Sequence, residues 1–110
     1  MSTVTTHVLD TARGRPAAGV TVRLEQVADG GSVLARAVTD DDGRVGSLGA
    51  DELAPGDYRL VFETGSYFAA QGEPTFYPRV AVEFSIADEA AHYHVPLLVS
   101  PYGVTTYRGS

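Results

Sequence analysis

HYHVPLLVSPY, residues 92–102, is the stretch whose reading decides the fold. At the two-residue period of an extended chain, His92 and His94 fall on one face and Tyr93 and Val95 on the other. A half-buried strand therefore runs into an apolar core and stops at a Ser-Pro-Tyr-Gly turn. It also places two of the chain's three histidines side by side on one face, which asks for a reason beyond packing.

Working outward, the same alternation recurs along the chain. Val20, Val22 and Leu24 alternate with Thr21, Arg23 and Glu25; Tyr58, Leu60 and Phe62 alternate with Arg59 and Glu63; Val80, Val82, Phe84 and Ile86 alternate with Ala81, Glu83 and Ser85. The segments ARGRPAAG, ADGGS, TDDDGR, LAPGD and LVSPYG supply the Gly, Pro and Asp that turn the backbone between strands. About seven or eight short strands result, a pattern that suggests an all-β sandwich of two sheets. TGSYFAAQG is the one stretch suited to a short helix, and the prolines of EPTFYP keep it out of a central strand. The C-terminus, YGVTTYRGS, alternates up to the last residue where most chains fray. It is expected to be strand, held in place.

The chain of 110 residues fits one domain, residues 1–110, with one hydrophobic core. A 44% hydrophobic and 20% charged composition is that of a soluble globular protein, and no apolar run reaches the ~20 residues of a membrane span. The start, MSTVTTHVLD, has no basic or long apolar segment, so the expected location is cytoplasmic. With no cysteine there is no disulfide framework and no thiolate metal site. All eight basic residues are arginine against 14 acids, a balance that argues against nucleic acid as a partner. The arginine fork suits carboxylates, ureas and similar flat polar groups.

Several residues stand out for chemistry. His7, in VTTHVLD, shares a face with Thr5 and Leu9, opposite Val4, Thr6 and Val8. Taken alone, His7 and His94 are each more often satisfied structural residues than catalysts. Two histidines on different strands also suit zinc, but a third protein ligand has no obvious candidate. Arg44 follows the Asp42-Gly43 turn, where a solvated surface arginine is the plain alternative. Asp40, Asp41 and Asp42 form an acidic turn without the spacing of an EF-hand. No nucleophile elbow, P-loop or dinucleotide-binding glycine pattern is present.

These segments line up with a known family. TTHVLD, RGRPAAGVTVRL, the DGR turn, FYP and HYHVPLLVSPYGVTTYRGS resemble the 5-hydroxyisourate hydrolases, transthyretin-like enzymes of purine breakdown, from end to end. The terminal YRGS is the most specific element, because the hydrolases end on it and the hormone carrier transthyretin does not. The resemblance implies a transthyretin-like (prealbumin-like) sandwich of two four-stranded antiparallel sheets with one short helix. It implies a homotetramer, a dimer of dimers, with active sites in a channel into which His94 points with Pro96 and Leu98, while Tyr93, Val95 and Leu97 pack inward. It assigns catalysis to His7, Arg44, His94 and Ser110, and substrate binding to Arg44, Tyr107, Arg108, Gly109 and Ser110.

Relative to the carrier, His7 stands for a lysine, Arg44 for a glutamate and His94 for a threonine. Val104 departs mildly from a common tyrosine, outside the catalytic set. The implied activity is that of a cyclic amide hydrolase. Water attacks a ring carbonyl of 5-hydroxyisourate to give 2-oxo-4-hydroxy-4-carboxy-5-ureidoimidazoline, without cofactor or metal. His92 is left as either a supporting residue or a solvated one. The rival from another class is a carrier or interaction domain without catalysis.

Overall fold

In a computed structural model, which describes residues 4–28, 30–49, 53–88 and 90–110, each alternating run is a strand. The elements are β1 (Val4–Asp10), β2 (Arg15–Pro16), β3 (Thr21–Gln26), β4 (Val33–Val38), β5 (Arg44–Val45), β6 (Gly56–Phe62), α1 (Thr64–Ala69), β7 (Val80–Ile86), β8 (Tyr93–Ser100) and β9 (Gly103–Thr106). One sheet has the order β2-β1-β8-β9, with β5 also paired to β1. The other has the order β4-β3-β6-β7. The two stack through their apolar faces: Val4, Val8, Tyr93, Val95, Leu97 and Val99 from the first meet Val22, Leu24, Tyr58, Leu60 and Phe62 from the second in one buried cluster. Full burial of side chains such as Leu60, Phe62 and Phe68 stabilises by roughly 1.5–3 kcal/mol each.

The two-sheet sandwich and the short helix expected from the alternation are both present. Three details go beyond that pattern. The first sheet has five strands, because the two-residue β2 and β5 both lie against β1. Within it β1 and β8 run parallel, with Thr5 opposite His94 and His7 opposite Pro96. Strand direction leaves no trace in a period-two pattern, since side chains alternate identically whichever way a neighbour runs. Third, β4 faces the core with only Ala35 and Ala37 and exposes Val33, Leu34 and Val38, so its larger apolar side chains lie outside the core.

The six-residue α1 is too short to be stable alone. It is held by Phe68, fully buried, and by Tyr67, whose hydroxyl donates to the buried Asp10 carboxylate at 2.8 Å. No helix among the described residues is long and apolar enough to cross a membrane.

Candidate active site

The turn TDDDGR builds one wall. The Asp40 carboxylate accepts from the backbone N–H of Asp42 and of Arg44, each at 2.9 Å, which folds the acidic run back on itself. Gly43 completes the turn at φ +73°, in the left-handed region, where a Cβ would stand 2.3 Å from the Val8 carbonyl. Glycine is therefore required here on two counts. Its carbonyl accepts from Val8 N–H at 2.7 Å, so the turn is locked to β1. That docking sets Arg44 opposite His7. The Arg44 side chain is exposed, and its guanidinium has no carboxylate partner among the described residues, whereas Arg13, Arg23, Arg59 and Arg79 are all in ion pairs.

His7 is oriented by the same turn. Its Nε2 lies 2.9 Å from the Asp42 carbonyl oxygen. A carbonyl can only accept, so Nε2 carries the proton and a neutral ring keeps its lone pair at Nδ1.

On the same strand as His7, the Thr5 hydroxyl lies 2.8 Å from Nδ1 of His94 on β8 and 3.0 Å from Nε2 of His92. One threonine on β1 thus links both histidines of HYH. His94 is half-buried, and its imidazole is held below the ordinary histidine value, first by burial and then by the positive Arg44 and the neighbouring His7 and His92. Its neutral form is favoured at neutral pH.

The C-terminal tail closes the site. The ladder of β9 on β8 stops at Thr106, yet His94 and Gly109 form a further bridge in the same register. The interruption falls where Pro96, opposite Tyr107, has no N–H to give. The expected strand is therefore broken by one proline and then resumes, with the Gly109 N–H donating to the His94 carbonyl at 2.8 Å. A Cβ on Gly109 would meet Cδ2 of His94 at 2.6 Å and Pro96 at 3.3 Å, so the glycine lies directly against the imidazole.

Together Thr5, Arg44, His92, His94 and Ser110 line a concavity of about 290 Å³. Three of the sequence-predicted residues, Arg44, His94 and Ser110, meet there, with Gly109 as backing. His7 sits two residues along β1 from Thr5, opposite Pro96 and on the same face, turned to the Asp42 carbonyl. Tyr107 and Arg108 do not join them within the chain. They line a separate concavity of about 330 Å³ with Tyr93, Val95, Val82 and Phe84, and the Arg108 guanidinium stacks over the Tyr93 ring at 4.5 Å. Alternation along the tail sends Arg108 to the side of β8 opposite His94. Thr5 is the residue that sequence reasoning missed: its face was legible, but its contact with His94 depends on the parallel β1·β8 register. Among the described residues no three His, Asp or Glu side chains gather in a way that could hold a metal ion.

A two-sheet sandwich carrying a His-Arg-His constellation at one face is the class that fold and site define. Residues 4–109 match the HIUase/Transthyretin family, and the chain belongs to that family. It is 51% identical over 106 residues to the 5-hydroxyisourate hydrolase of Salmonella dublin, spanning 94% of this chain and 78% of that protein. It is 48% identical to the enzyme of the same name from Caulobacter vibrioides, over the full length of both. Among solved structures, Klebsiella pneumoniae 5-hydroxyisourate hydrolase superposes with a TM-score of 0.89 at 42% identity, covering 100% of this chain and 94% of that one. Sea bream transthyretin in complex with thyroxine superposes at 0.91 with 32% identity, covering 97% and 94%.

Proposed function

We propose that this protein hydrolyses 5-hydroxyisourate, by attack of water on a ring amide carbonyl, to 2-oxo-4-hydroxy-4-carboxy-5-ureidoimidazoline in urate breakdown. The hydrolase and the hormone carrier share the backbone almost equally well, so the backbone does not discriminate between them. The observation that carries the reading is the meeting of Arg44, which has no carboxylate partner among the described residues, with His94, whose neutral form is favoured by burial and by that guanidinium, and with Ser110 around one small concavity.

Each group has a task there. A neutral imidazole accepts a proton from water, and a positioned base contributes typically ~10²- to 10⁴-fold. His94 and His7 are the residues that orient and deprotonate the water. Arg44 holds the flat, oxygen-rich substrate and offsets the charge growing on the attacked carbonyl. The Ser110 hydroxyl and terminal carboxylate supply further hydrogen-bonding groups at the rim. Tyr107 and Arg108 act on substrate only where a second copy of the chain brings them to a neighbouring site, and we propose a cytoplasmic homotetramer that does so. No cofactor enters the reaction.

Ultraviolet monitoring of freshly generated 5-hydroxyisourate tests the reading. The wild type should accelerate decay well beyond the spontaneous rate, and His94→Ala should lose ~10²-fold or more with its melting temperature kept. A wild-type decay indistinguishable from the spontaneous one refutes hydrolysis and leaves the carrier reading.

A further inference from the structure

The contact of Thr5 with both histidines has a consequence for the direction in which His94 can work. A hydroxyl has one proton. Between two neutral imidazoles it therefore donates to one ring nitrogen and accepts from the other. If it donates to Nδ1 of His94, that ring carries its proton on Nε2 and offers the concavity a donor. If it donates to Nε2 of His92, His94 keeps its proton on Nδ1 and offers the concavity a lone pair. The charge around the ring decides between them. Arg44 and the chain end at Ser110 both line the concavity, but the charges that act on the His94 ring are those of Arg44, His7 and His92 and no carboxylate, and a guanidinium favours a lone pair over an N–H facing it. His92 is exposed, so water serves its remaining nitrogen in either arrangement.

We propose that Thr5 is the positioning residue of the base: it accepts from Nδ1–H of His94 and donates to Nε2 of His92, so that Nε2 of His94 faces the concavity unprotonated. This rests on the hydrolase reading of the site. The arrangement also gives the proton a route. As the water oxygen bonds to the ring carbonyl carbon, its proton goes to Nε2 of His94. The Nδ1 proton of His94 passes to the Thr5 oxygen, whose own proton passes to Nε2 of His92. The positive charge then rests on the exposed His92, where solvation is cheap, instead of on the half-buried His94 beside Arg44. When the carbon–nitrogen bond breaks, His94 gives the Nε2 proton to the departing nitrogen and recovers its Nδ1 proton along the same path, which restores both rings.

In the Ser-His-Asp triad the buried carboxylate that holds a catalytic histidine in its tautomer contributes ~10⁴ in kcat. A neutral hydroxyl shared by two rings holds it less firmly, so Thr5→Val should lower kcat by about 10- to 100-fold with KM little changed. Thr5→Ser, which keeps the hydroxyl, should restore most of it. The second readout needs no turnover. Nitrogen-15 NMR of the histidine rings, at a pH where they are neutral, should find wild-type His94 protonated on Nδ1 and its tautomer shifted in Thr5→Val. A wild-type His94 protonated on Nε2 overturns the proposal, as does a folded Thr5→Val with wild-type kcat. Because the tautomer is read on the wild type, it stands or falls separately from the 5-hydroxyisourate assay.

Discussion

Gly109 leaves no space for even a methyl group beside His94, since a Cβ would stand 2.6 Å from the ring. Gly109→Ala must therefore push either the tail or the imidazole. Both belong to the site, and neither belongs to the buried cluster. The expected outcome is a fall in kcat of at least tenfold with a melting temperature close to that of the wild type; a fully active alanine variant would remove Gly109 from the site. His94 itself carries a pH signature. Its folded value lies below the ordinary 6.5, chiefly through burial and then through Arg44. The neutral, proton-accepting form thus persists to lower pH than in a free histidine, and the acid limb of kcat/KM should have its midpoint below 6.5. The sign for stability follows from the same shift. The unfolded chain binds the proton more readily, so the contribution is present above the unfolded value and lost as pH falls through the folded one. A pH–rate profile on the wild type and on Thr5→Val measures the limb directly.

At the scale of elements, the TDDDGR turn positions both Arg44 and His7, and Asp40 is the residue that shapes it. Asp40→Ala removes two charge-assisted hydrogen bonds, at a cost of about 1–2 kcal/mol in this exposed turn. Turnover should fall as well, because Arg44 loses its fixed backbone; a thermal melt and a KM measurement on one preparation check both halves. This turn also marks the limit of what the residues alone disclose. Asp-Gly announces a reversal of the chain, and strand parity puts His7 and His94 on solvent-side faces. Neither tells that β5 docks on β1, or that the acidic run serves its own backbone amides. Those facts depend on which strands become neighbours, as does the link from Thr5 to His94. Proline takes two different places in this chain. EPTFYP is irregular, as its prolines require, yet Pro96 sits inside β8 between β1 and the tail. It is tolerated there because the ladder breaks on the tail side at that residue.

For the molecule as a whole, the question is which sheet edges are open. The edge at β2 is two residues long and contains Pro16, and the edge at β4 pairs across a register shift at Leu24/Glu25; both features discourage further pairing. The edges at β7 and β9 have neither proline nor bulge. Of their exposed residues, Ala81, Glu83, Ser85, Thr105 and Thr106, only Glu83 carries a charge. These two edges flank the concavity that holds Tyr107 and Arg108, so a second copy pairing along them would cover the part of the tail that does not reach its own chain's His94. The tail should then matter for activity without mattering for the core. Deleting Tyr107 to Ser110 removes no residue of the buried cluster, and the truncated protein should melt within a few degrees of the wild type while hydrolysis collapses. If that protein still turns over 5-hydroxyisourate at the full rate, the tail has no part in catalysis. The assembly is tested on the same two proteins by light scattering at micromolar concentration. The wild type should have about four times the chain mass of 11.6 kDa. A monomer with full activity would refute the tetramer and, with it, any role for Tyr107 and Arg108 across a subunit boundary.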